Sequence, residues 1–207
     1  MKINVVSAFL TLTLCLILST PAYTQWWYSS VSYQMSVPTG YTKDFAGKTS
    51  WRGIGVDFRK SFNPNTTYGI MAGWNVFYER FTGSQQIAVE ENPGVITGLQ
   101  DRWINSFPIM LNVHMYLGKQ GGIRPFGGLN AGGFLMKQRF DIGLLQLDKS
   151  QWQWGGAPEI GVVIPVGYST KLLLNGKYFF ALTGDSVLGG STKYLYLTFG
   201  VGVVWEQ

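Results

Sequence analysis

A single histidine, His114, stands among a sparse set of charged residues, and its neighbours decide what chemistry is open to it. Nucleophilic catalysis needs a serine, threonine or cysteine within reach of a base, and an acid to orient that base. Two positions on from His114 is Tyr116, and the only cysteine, Cys15, falls in an N-terminal apolar run. One histidine without a further cysteine offers no transition-metal ligand set. The glycine pairs Gly127-Gly128 and Gly132-Gly133 lead into no helical pattern, so a phosphate-cradling loop is not expected. His114 therefore reads as a hydrogen-bonded filler, and no catalytic residue, metal site or cofactor is expected.

The remaining polar candidates are Asp57, Arg59, Glu79, Arg124, Glu159 and Lys177, with Asn112, Asn130 and Asn175. What they share is parity within alternating segments. In Trp27–Val37 the odd positions are mostly apolar and the even ones polar or amphipathic, a period of two that marks a strand with unlike faces. The pattern recurs over 51–60, 66–79, 103–117, 123–136, 152–166, 172–180 and 195–205, with no helical stretch between. Ile54, Val56 and Phe58 oppose Asp57 and Arg59. Leu111, Val113 and Met115 oppose Asn112 and His114, and Leu129 and Ala131 oppose Arg124 and Asn130. Ile160 and Val162 oppose Glu159, and Leu174 and Tyr178 oppose Asn175 and Lys177.

Composition says which face meets which medium. Only 13% of the 207 residues are charged, about half the ~25% of a soluble domain, while 46% are hydrophobic and 15% aromatic. Mean hydropathy is +0.08. A freely soluble protein and a disordered one are both excluded. Yet after residue 18 no window approaches the ~20 apolar residues of a spanning helix. Residues 1–24 read as a cleaved signal peptide, with Lys2, the apolar run Val5–Leu18 and the site Ala22-Tyr23-Thr24, leaving a mature domain over 25–207 without cysteine. Removing Lys2 takes the formal charge from +5 to +4, spread along the chain, so no nucleic-acid partner is expected.

Eight consecutive strands of about ten residues are what a bilayer-crossing barrel needs if every backbone group is to be paired. The expected fold is all-β, an eight-stranded antiparallel up-and-down transmembrane β-barrel. Connections after the second, fourth and sixth strands are short (61–65, 118–122, 167–169), and the others are longer, with Arg80–Arg102 the longest. That alternation puts the long loops outside the cell and both ends in the periplasm. Outward aromatics sort accordingly: Tyr78, Trp103, Trp152 and Trp154 fall at long-loop ends, and Trp27, Tyr68 and Trp205 at short-turn ends, forming two interfacial girdles. A soluble lipocalin-type barrel would instead turn its apolar face inward.

Three stretches, Phe107-Pro108-Ile109-Met110-Leu111-Asn112, 124–132 (RPFGGLNAG) and Ala157-Pro158-Glu159-Ile160-Gly161-Val162, carry a resemblance to the small OmpA/OmpW-type outer-membrane barrels, in the style common among Bacteroidota. Members usually end on an aromatic, whereas here Glu206 and Gln207 follow Trp205. The resemblance implies an integral outer-membrane protein in contact with outer-membrane lipid. It leaves three roles open: a non-enzymatic structural component or envelope-assembly subunit, an OmpW-like conduit for small hydrophobic molecules, and, ranked last, a lipid-modifying enzyme. A deacylase of that last kind would carry a His and a Ser two apart on a lipid-facing strand, which His114 and Tyr116 do not supply.

Eight strands enclose little more than their own side chains, so the lumen should be filled. Asp57, Glu79 and Glu159 against Arg59, Arg124 and Lys177 balance, as confined charges must. A turn centred on Tyr168 puts residues equidistant from it opposite each other, and Glu159 and Lys177 are each nine positions away. They should be direct cross-strand neighbours. Among the loops, Ile87–Thr97 alternates about Asn92-Pro93-Gly94, extending the third and fourth strands as a hairpin. Apolar Phe140–Leu147 would serve either as a surface for other envelope proteins or as packing over the barrel mouth.

Overall fold

The alternation becomes a closed ring of antiparallel strands in a computed structural model whose described residues are 26–206, without 90–91 and 187–190. For 85–89, 92–96, 183, 185, 191 and 192 only the backbone is described, and the expected signal peptide, 1–24, lies outside the described residues. The strands are β1 (Trp27–Thr39), β2 (Gly53–Asn63), β3 (Thr66–Val89), β4 (Asn92–Tyr116), β5 (Arg124–Ile142), β6 (Leu145–Pro165), β7 (Thr170–Asp185) and β8 (Ser191–Glu206). Each pairs with its sequence neighbour, and β1 closes on β8 from Tyr28↔Glu206 to Thr39↔Leu195. Closure leaves no open edge through the ring, which a lipid-embedded sheet requires.

The strands run longer than the alternation indicates. β3 has 24 residues and β4 has 25, against the ~9–11 that cross a bilayer, so their far ends stand beyond it as a two-stranded ribbon. The hairpin expected over 87–97 is this ribbon. Phe140–Leu147 is not a loop either: β5 and β6 extend through it to a turn at Gly143-Leu144, where Gly143 takes φ +58°. One element contradicts the all-strand reading. The connection after β1 holds a helical turn, α1 (Gly40–Phe45), too short to show a helical period in sequence.

The outward face is apolar as expected, with Leu111, Leu129, Ile160 and Val201 all exposed. Inside, the chain departs from the expected polar filling. Toward the long hairpins the inward side chains are Met71, Phe77, Ile104, Met110, Phe134, Met136, Phe179, Tyr194 and Tyr196, all buried and packed together, with Phe45 of α1 set over them. Toward the short turns Tyr28, Tyr116, Phe126, Val163, Leu173 and Val204 form a second apolar layer. A closed lumen too narrow for bulk water behaves as an ordinary protein core, so apolar side chains fill it wherever no charge demands otherwise.

Two prolines interrupt the ladders without shifting register. β3–β4 pairing skips Gly73-Trp74 opposite Phe107-Pro108, and β6–β7 pairing skips Ala157-Pro158 opposite Tyr178-Phe179. Proline brings no N–H to a ladder.

Candidate functional site

Between the two apolar layers lies a belt of charge. Lys177 directly faces Glu159 across the β6–β7 ladder, with Nζ 3.5 Å from Glu159 Oε2 and 3.8 Å from Asp57 Oδ2. Glu159 is the hub of the belt. Its Oε1 accepts from Asn175 Nδ2 at 2.7 Å, and its Oε2 accepts from Asn130 Nδ2 at 3.2 Å and lies 3.2 Å from His114 Nε2. Asp57 accepts from Asn112 Nδ2 at 3.0 Å and from Ser30 Oγ at 3.3 Å. Arg59 Nη1 lies 2.6 Å from both His114 Nδ1 and the Tyr116 hydroxyl. A guanidinium only donates, so Nδ1 is the acceptor and the imidazole proton sits on Nε2, facing Glu159. The neutral imidazole thus bridges Arg59 to Glu159, and Asp57 and Glu159 balance Arg59 and Lys177.

The belt rests on one row of cross-strand pairs, Thr67↔His114↔Gly128↔Glu159↔Lys177↔Thr198↔Ser36. Gly128 stands between the histidine and its carboxylate, and a Cβ there would lie 2.5 Å from His114 Cδ2. Only glycine lets the ring cross a whole strand to its partner. Phe126 stacks on the imidazole at 5.0 Å and fixes its plane. Gly128 and Tyr116 are not among the expected site residues; parity turns both inward but gives no sign of what they do there. Their role is visible only when three strands are aligned.

The expected six-charge set divides into the central four and two residues at the rims. Arg124 donates from Nη2 to Pro64 O at 2.6 Å and Asn65 Oδ1 at 3.2 Å, tying β5 to the β2–β3 turn, and its guanidinium lies 4.7 Å from the Tyr116 ring. Glu79 sits at the opposite mouth, where Oε2 accepts from the Gly47 amide at 2.6 Å and Arg102 faces it in the ladder. Arg102 is an inward charge at a position that the alternation places at the end of the longest loop. Its guanidinium stands within 4.6 Å of the Phe81 ring and also faces Phe45 and Phe140. Lys171, on the inward face of the seventh alternating segment, is buried near the short turns and pairs with Glu206.

Over the mouth, α1 acts as a lid. Thr42 Oγ1 accepts from the Leu195 amide at 3.0 Å, and the Tyr41 ring meets Tyr194 edge-on at 5.6 Å. Phe140, Ile142, Leu145 and Leu147 pack into the cluster beneath, so the apolar 140–147 stretch covers the barrel and leaves Leu144 alone at the exposed tip.

No protein-family model matches the chain, and no curated protein does. Among solved structures it is similar to Neisserial surface protein A, at 12% identity and a TM-score of 0.55, with 87% of this chain and 96% of that one covered. It is also similar to a major outer membrane protein from Thermus thermophilus, at 9% identity and a TM-score of 0.50, covering 89% of this chain and all of that one. The chain has the fold of the small outer-membrane β-barrels. In this outer-membrane fold the short turns face the periplasm and the long hairpins the exterior. The described ends of the barrel lie together at the periplasmic rim: Trp26 O accepts from the Ser61 amide, and the Glu206 amide donates to Ser169 O.

The aromatics expected at the two girdles lie on the outward face. Trp27, Tyr68 and Trp205 are exposed at the periplasmic rim. At the extracellular rim Tyr78 lies on Trp103 at 4.0 Å, and Trp152 meets Trp154 edge-on at 5.9 Å. The Trp152 ring covers Gly133, where a Cβ would come within 1.8 Å of it. Trp51 and Trp74, outside the expected set, are exposed as well.

Proposed function

We propose that this outer-membrane barrel is a closed, non-enzymatic component of the cell envelope, a structural element or assembly subunit that presents its extracellular hairpins to other envelope proteins. One observation carries the reading: the lumen is occupied along its length by a periplasmic apolar layer, the ionic belt and an extracellular apolar layer beneath α1. The non-enzymatic part is supported by His114, which is 1% exposed and closed in between Arg59 and Glu159, so that no substrate bond is within its reach. The partner-facing part is supported by the β3–β4 ribbon. Among the described residues β2 pairs with β3 only as far as Asn75, and β5 pairs with β4 only from Gln100, so both outer edges of the ribbon are open beyond the ring.

Planar-bilayer recording tests the closed lumen. The intact barrel gives no discrete conductance steps, and reproducible steps would overturn the reading. Incubation with lipid A and phospholipid, followed by mass spectrometry, tests the non-enzymatic part, for which no new product is expected.

A second reading is a conduit for small hydrophobic molecules. It is favoured by the apolar inner face of the extracellular half, where Phe77, Phe134, Phe179 and Tyr196 line the way down from α1. Uptake of a small hydrophobic dye into vesicles carrying the barrel, faster than into empty vesicles, would select it.

A further inference from the structure

The outer wall of the barrel holds a cavity of about 570 Å³ at the level of the extracellular girdle, lined by Arg52, Gly53, Ile54, Trp74, Val76, Trp103 and Asn105. It lies on the lipid side of β2, β3 and β4, beside the stretch where Pro108 interrupts the β3–β4 ladder. Trp74 forms one wall, stacked on Phe107 with the rings 5° from parallel and held by a bond from its Nε1 to Asn105 Oδ1 at 3.2 Å. Trp103, backed by Tyr78, stands at the other side.

The cations near this cavity are of two kinds. Arg80 and Arg139 are neutralised, by Asp101 at 2.6 Å and Asp141 at 2.8 Å. Arg52, on the cavity wall, is exposed, and its guanidinium has no ion-pair, hydrogen-bond or ring partner among the described residues. On the far side Lys137 lies opposite Asn105 in the ladder, exposed, with Nζ 5.9 Å from the Phe107 ring and no carboxylate partner among the described residues. Two uncompensated cations therefore flank an apolar slot at headgroup depth, which is the complement of an anionic headgroup carrying a hydrocarbon tail.

We propose that this cavity seats one acyl chain of a phosphate-bearing anionic lipid of the outer leaflet, with the headgroup held between Arg52 and Lys137. The proposal is independent of whether the lumen conducts.

Tryptophan quenching by brominated lipid tests it. The full barrel is placed in phosphatidylcholine vesicles and titrated with phosphatidylglycerol brominated on its acyl chains, with brominated phosphatidylcholine as the reference series. Random contact with the outward tryptophans gives quenching linear in mole fraction for both lipids. A seated lipid adds a saturable component for phosphatidylglycerol alone. Arg52→Gln, at an exposed position that leaves the barrel folded, should shift its half-saturation about fivefold to higher mole fraction. Ile54→Trp, which fills the slot, should abolish it. Linear quenching in the intact barrel, an equal saturable component for both lipids, or a saturable component unmoved by either substitution would each overturn the proposal.

Discussion

His114 reaches Glu159 across an intervening strand, Nε2 to Oε2 at 3.2 Å, over the bare backbone of Gly128. The ionic belt depends on this crossing, because through it Arg59 on β2 is connected to the Glu159–Lys177 pair on β6 and β7.

Gly128→Ala should therefore destabilise the barrel by about 1–3 kcal/mol, the cost of overpacking a filled interior. Gly127→Ala is the matched control. Its Cβ would meet nothing within 4 Å, so a change within about 0.5 kcal/mol is expected. Equilibrium urea unfolding in detergent, read by the mobility difference between folded and unfolded barrel, compares the two.

Lys177→Met leaves Asp57 and Glu159 without their shared cation in a buried site, a loss of about 3–5 kcal/mol in the same assay. Combining it with Glu159→Gln removes one of the stranded charges. The double variant should be more stable than Lys177→Met alone, and simple additivity of the two single effects would show that the pair is not coupled.

The lipid-facing wall gives a third contrast. Leu111 is exposed on the outward face, so Leu111→Arg should cost about 2–4 kcal/mol near the middle of the hydrocarbon. Leu144→Arg at the β5–β6 tip should fold normally. Yield of heat-modifiable barrel after refolding into vesicles separates the two outcomes.

At the base of the β3–β4 ribbon, outside the bilayer, Arg80 holds the carboxyl of Asp101 below the usual carboxylate range, helped by a bond from the Tyr78 hydroxyl at 2.6 Å. A lowered carboxyl stabilises the folded form above its unfolded value, and that contribution is lost as pH falls through the lowered value. Amide protection at 78–82 and 99–103, corrected for the intrinsic pH dependence of exchange, should fall below about pH 4, by no more than a few-fold because the pair faces solvent. Arg80→Ala should remove most of the pH dependence, leaving the smaller part due to Tyr78, and keep the barrel intact.

Much of this was legible in sequence because a strand sorts its side chains by parity alone. Leu111 and Ile160 face lipid as their positions require, and Glu159 meets Lys177 because a short turn with no bulge after it transmits register directly. The extracellular half of the lumen was not legible. Phe134-Leu135-Met136 is apolar on both faces, and a rule that equates outward with apolar cannot place Phe134 inside. Arg102 was hidden for a related reason: a loop reading ended the strand before the ladder that turns it inward does. Gly128 and Tyr116 belong to relations that span several strands, and no local pattern records those.

The row from Thr67 to Ser36 also bears on how the ring finds its shear. A one-residue slip between strands exposes the wrong face to lipid and is rejected at once, but a two-residue slip keeps every apolar side chain outward and leaves the bilayer indifferent. Such a slip between β6 and β7 would part Glu159 from Lys177, and one between β5 and β6 would part His114 from Glu159, stranding charge in a dry interior. The buried ions therefore proofread the alignment that hydrophobicity leaves degenerate, and they do so only once β2, β4, β6 and β7 are all in place.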